Sequence, residues 1–236
     1  MPAETLPSLT RSVLEDAMAS RRLPLLGLTF VVVFGGAAVG FPLVHEAMAP
    51  EEPLDGTALL LAVERPVALV LAATGLFVGV APRPVPRAVW QAPAGRLAAC
   101  VLVGRCLTYL VALAMGVVTA GVAVWIIYDT PTILAIAIAT PALVAFGWVF
   151  VTLGVALAVL APTRLFAAAG AIGTIAVVAT VVPGSPLLAL ETVLRTILPA
   201  TPAPRTRLAL AVGTLGAWLA VPLGAMFFTV VYRSGE

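Results

Sequence analysis

The residues best equipped for chemistry are two acid–base pairs set in an apolar chain. Glu64-Arg65-Pro66 places an acid and a base beside a proline, inside the first turns of an apolar stretch running from about Leu59 to Ala81. Burying either charge in lipid is expensive, so such a pair belongs at a membrane interface or in a water-filled groove. Two roles fit it: anchoring the end of a helix, or lining a translocation path. Glu191 and Arg195 lie four apart, the spacing at which an acid and a base on one helix face support each other. Asp129, in the short turn Asp129-Thr130-Pro131, also sits close to apolar segments. Glu64, Arg65 and Asp129 are therefore the candidate translocation-path or interface charges.

Other chemistries are excluded by what the chain lacks. All thirteen basic residues are arginine. Without lysine there is no Walker A phosphate loop, no retinal Schiff base and no other lysine-dependent covalent chemistry. His45 has no cysteine or second histidine near it, so no metal site is expected. Cys100 and Cys106 are six apart on one predicted helix and point to different faces, which reads as two buried thiols rather than a disulfide. An intramembrane enzyme would need a nucleophile paired with a base, or clustered histidines and acids, within the spans. The expectation is a chain that is not an enzyme, with no catalytic residues and no cofactor of its own.

A basic, proline-punctuated interruption, Pro82 to Arg105, carries Arg83, Arg87, Arg96 and Arg105. Pro86 can open a short helix over Arg87, Ala88, Val89, Trp90 and Gln91, with proline at a first helical position where its missing N–H costs nothing. Such a helix can contact a soluble partner. The simpler reading is a loop that only sets orientation.

The elements that position these groups follow from hydropathy. Of 236 residues 61% are hydrophobic and 10% charged, and the mean hydropathy is +1.12. That is the composition of a polytopic membrane protein, and a net charge of +2 gives no reason to expect nucleic acid as a partner. Six spans are expected, at 23–44, 59–81, 97–128, 133–160, 165–182 and 208–231, with an inner connector at 82–96. Before them, residues 1–22 alternate apolar and polar positions at helical spacing, as an amphipathic helix lying on a membrane surface does. Gly36 and Gly40, and again Gly75 and Gly79, place small residues four apart for close helix packing. Between spans five and six, Ser185 can cap a helix that starts at Pro186 and carries Leu187, Leu190, Leu194, Ile197 and Leu198 on one face. This helix is expected to rest on the outer leaflet or dip into it.

Arginine placement orients the chain. With the amino terminus inside, nine arginines fall on the cytoplasmic side (11, 21, 22, 83, 87, 96, 105, 164, 233) against four outside (65, 195, 205, 207). Both termini are therefore expected in the cytoplasm.

Six spans, an amphipathic amino-terminal helix, a basic inner connector after span two and an amphipathic outer helix before span six resemble the permeases of type-2 ABC exporters. The local sequence is similar as well. Thr152 to Gly173, TLGVALAVLAPTRLFAAAGAIG, resembles the family's hairpin of spans four and five, and Gly95 to Leu113, with Arg96 and Gly104-Arg105, resembles its entry into span three. Many members carry a glutamate-arginine-glutamate run ahead of the coupling helix; here the segment is Pro82-Arg83-Pro84-Val85-Pro86. The resemblance implies an exporter permease in the cell membrane, paired with a second copy or a homologue. A separate ATPase subunit would carry ATP and dock on Arg87, Ala88, Val89, Trp90 and Gln91. The alternative is a non-transporting scaffold or assembly subunit of a larger membrane complex.

Overall fold

The computed structural model describes residues 11, 15, 22–48, 56–80, 94–128, 130–161, 163–179, 184–197 and 205–234. They form seven helices and no strand: α1 (Arg22–Met48), α2 (Gly56–Val80), α3 (Ala94–Ile127), α4 (Thr130–Leu160), α5 (Arg164–Ala179), α6 (Pro186–Ile197) and α7 (Arg205–Ser234). Five of these, α1 to α4 and α7, are long and apolar enough to cross a membrane. Helix is the expected form, because a chain in hydrocarbon must satisfy its backbone N–H and C=O groups within the segment. This is the helical content of a polytopic, membrane-embedded protein.

The spans are uneven. Helix α3 has 34 residues, which at ~1.5 Å per residue extends about 51 Å and overreaches a hydrocarbon core of roughly 30 Å. Helix α5, expected from the sequence as the fifth span at 165–182, has 16 described residues, about 24 Å. Of residues 1–21, the described Arg11 and Glu15 are both helical and exposed, joined by a 2.8 Å ion pair one turn apart; the rest of the expected amphipathic helix lies outside the described residues.

Two helix pairs dominate the packing, α2 with α4 and α1 with α3. At the first, the backbones nearly touch. A methyl carbon placed on Gly79 would lie 2.5 Å from the Val151 carbonyl oxygen and 2.6 Å from Gly154 Cα, and one on Gly154 would lie 2.7 Å from the Leu76 carbonyl oxygen. Only glycine permits so close an approach, the known use of small residues where no hydrophobic effect drives helices together. The equally spaced Gly36 and Gly40 on α1 face open space in this chain, so the same sequence signal is used at one seam and not at the other.

Tyr109 of α3 ties the two pairs together. It is fully buried, its ring stands edge-on to Phe30 of α1 at 5.5 Å, and its hydroxyl donates to the Leu71 carbonyl of α2 at 3.1 Å. Gly147 of α4 leaves the space that the ring fills. Four helices thus meet at one side chain, within a core that includes Leu71, Leu76, Phe146 and Phe150. At the end of this pair where α3 gives way to α4, Tyr128 donates to the Ala38 carbonyl of α1 at 3.3 Å.

Helix α6 is short, and its start is defined. The Ser185 hydroxyl accepts the Leu188 N–H at 3.3 Å as an N-cap, Pro186 takes the first helical position, and Gly184 precedes them with φ +84°. Trp218 of α7 donates its indole N–H to the Gly184 carbonyl at 3.0 Å and holds this turn against the last helix. The apolar face of α6 does not rest on lipid: Leu187, Ala189, Leu190, Val193 and Leu194 are buried among helices of this chain. Helix α7 is the least covered spanning helix and α4 the most.

Candidate functional site

Folding α6 back against the bundle brings the two acid–base pairs of the sequence together. Glu64 and Arg65 stand on α2, Glu191 and Arg195 on α6. Arg195 Nη2 lies 2.7 Å from Glu191 Oε1 and 3.9 Å from Glu64 Oε1, and Arg65 Nη2 lies 3.5 Å from Glu191 Oε2. Two acids and two bases therefore form one network across the helices. The sequence presents them as separate local pairs, and the buried leucines beside Glu191 are the only signal that α6 would turn inward.

The network is unequal. The side chains of Glu64 and Glu191 are 6% and 14% exposed, whereas Arg65 and Arg195 are 55% and 49% exposed. The guanidinium groups remain substantially open, while the carboxylates point into the protein. Glu191 takes the close contact from Arg195 and that from Arg65 as well. Glu64, the more deeply buried acid, faces one shared arginine at 3.9 Å, and its Oε2 is buried with no hydrogen-bond donor from the protein. A buried carboxylate with so little compensation is costly to the fold. Pro66, lacking an N–H, cannot give the Ala62 carbonyl its i→i−4 bond.

Glu64 also lines a cavity of about 60 Å³ between α1, α2, α3, α4 and α6. The lining is almost wholly apolar, with Phe34, Val67, Val117, Leu143 and Leu194 among its walls. Thr140 is its other polar side chain, and the Thr140 hydroxyl donates to the Ile136 carbonyl one turn back on its own helix at 2.8 Å. It has no proton left for Glu64. The cavity is several times larger than the ~10–15 Å³ that a single water requires.

The other expected site residues fall elsewhere. Arg87, Ala88, Val89, Trp90, Gln91 and Asp129 lie outside the described residues. Arg105, the last residue of the basic stretch and inside the expected span 97–128, stands eleven residues past the first residue of α3 and is buried at 6% exposure. His45 lies in the last turn of α1, stacked on Phe41 at 5.9 Å. Cys106 is a free, half-buried thiol. Among the described residues no group of three or more histidines, cysteines or acids is placed to hold a metal. No protein-family model matches the chain, and no curated protein matches it either.

Proposed function

We propose that this chain is the transmembrane permease subunit of an ABC-type exporter, moving a substrate across the cell membrane with energy from a separate ATPase subunit. The observation that carries the reading is the placement of α6. A short amphipathic helix between α5 and α7 folds into the bundle and is ion-paired to the start of α2, where a type-2 exporter permease has its amphipathic outer helix between spans five and six. On this reading α5 completes six membrane segments, both termini are cytoplasmic, and the permease works as a pair. The segment Arg87 to Gln91 docks on the ATPase, where tryptophan and arginine are common interface anchors. Rigid-body motion of the ATPase would pass through that segment into α2 and α3. The close glycine seam between α2 and α4 supports such transmission, since two helices in backbone contact move together.

Affinity purification in mild detergent, followed by mass spectrometry of the retained proteins, tests this. An ABC ATPase is expected with the wild type and lost from the Arg87→Ala, Trp90→Ala double variant. Absence of any ATPase from both samples, under conditions that retain a known permease complex, rejects the exporter reading and favours a scaffold whose bound proteins define its role.

A further inference from the structure

We propose that the cavity beside Glu64 is a binding site for a lipophilic ammonium ion, whose N–H is accepted by Glu64 Oε2 and whose short alkyl body packs against Phe34, Val67, Val117 and Leu143. Three observations lead to this chemistry. The walls are apolar, so the body of the ligand is apolar. The one free polar atom among the described lining side chains belongs to a carboxylate, so the ligand must bring a donor. Finally, the carboxylate is under-compensated: Glu191 holds the two arginines more closely, and Arg195 stands 3.9 Å away on the other oxygen of Glu64. A donor that also carries positive charge satisfies both deficits, because a hydrogen bond to an ionised partner is the stronger kind. An anionic ligand would meet the buried carboxylate and is excluded by repulsion.

The geometry also assigns a role to α6. Leu194 forms part of the cavity wall one residue before Arg195, so one wall of the cavity is carried by the segment that bears the arginine. An ammonium ion on Glu64 competes with Arg195 for the same acid and weakens one of the two ion pairs that join α6 to α2, the other being Arg65 with Glu191. Occupancy of the cavity and attachment of α6 are thereby opposed.

As a substrate site this rests on the export reading above, but binding itself is measurable on the full chain without any ATPase. The protein in nanodiscs of zwitterionic lipid is titrated with n-butylammonium and, separately, with n-butanol, each followed by saturation-transfer difference NMR. Saturable binding of butylammonium, tighter than that of butanol, is expected for the wild type. Glu64→Gln should weaken butylammonium by about tenfold or more and leave butanol unchanged. Ala139→Phe, which fills the cavity from α4 without altering charge, should remove the binding of both probes. Equal affinity of the two probes for wild type overturns the proposal even if neither variant folds, and so does butylammonium binding that survives Glu64→Gln. Failure of the ATPase to co-purify leaves this result standing, and failure here leaves the co-purification standing.

Discussion

Arg195 on α6 lies 3.9 Å from Glu64 on α2, and together with Arg65 and Glu191 at 3.5 Å this contact turns two sequence-local acid–base pairs into one network across the two helices. Glu64 stands eight residues past the first residue of α2, within its apolar stretch. Its charges balance in number and not in position. The arginines lie on the open side and the acids on the buried side, which leaves Glu64 facing the cavity.

The two acids should respond oppositely to neutralisation. Glu191→Gln removes the residue that holds both arginines and should destabilise the protein by about 1 kcal/mol, as expected for a partly exposed pair in a network. Glu64→Gln removes a poorly compensated buried charge and should be neutral or stabilising. Thermal unfolding of the two purified variants checks the order, and a larger loss for Glu64→Gln than for Glu191→Gln contradicts it.

Tyr109 is expected to be the most sensitive polar position of the core. Tyr109→Phe deletes the hydrogen bond to the Leu71 carbonyl and should cost about 1 kcal/mol. Tyr109→Ala, which also empties the space between Phe30 and Gly147, should cost about 3–5 kcal/mol. Denaturant unfolding in detergent separates the two losses, and equal losses would show that the ring contributes nothing beyond its hydroxyl.

The glycine seams differ in use, and substitution tells them apart. Gly154→Ala sets a methyl against backbone of α2 and should destabilise by about 1–3 kcal/mol or more, since the Leu76 carbonyl cannot rotate away as a side chain would. Gly36→Ala meets open space and should be tolerated by the isolated chain. If Gly36→Ala instead disrupts the purified protein in its oligomeric form alone, the open face of α1 packs against another subunit.

The cap of α6 offers a separate handle on the site. Ser185→Ala should cost about 1 kcal/mol through loss of the Leu188 N–H acceptor. Gly184→Ala, at φ +84°, should cost a similar amount, because the left-handed conformation places Cβ against the backbone. Hydrogen exchange confined to α6 is the measurement of choice. Faster exchange in residues 186–197 with the α2–α4 core unchanged is the expected pattern.

The sequence alone determined the class of protein and much of its local structure. Long apolar runs free of charge must become helices in lipid, and Ser185-Pro186 marks a helix start by backbone rules that act within a few residues. Which faces meet is a different matter. Helices such as α3 and α4 are apolar on every side, so hydropathy carries no information about their partners. Gly75 and Gly79 are indistinguishable in sequence from Gly36 and Gly40, yet only the former pair lies against another backbone. Likewise Glu64 and Arg195 read as members of separate pairs. Only the tertiary structure decided that α6 turns inward with its leucines, because burying that face against α2, α4 and α7 is a long-range choice. The same turn carries Glu191 and Arg195 to Glu64 and adds Leu194 to the wall of the cavity beside it.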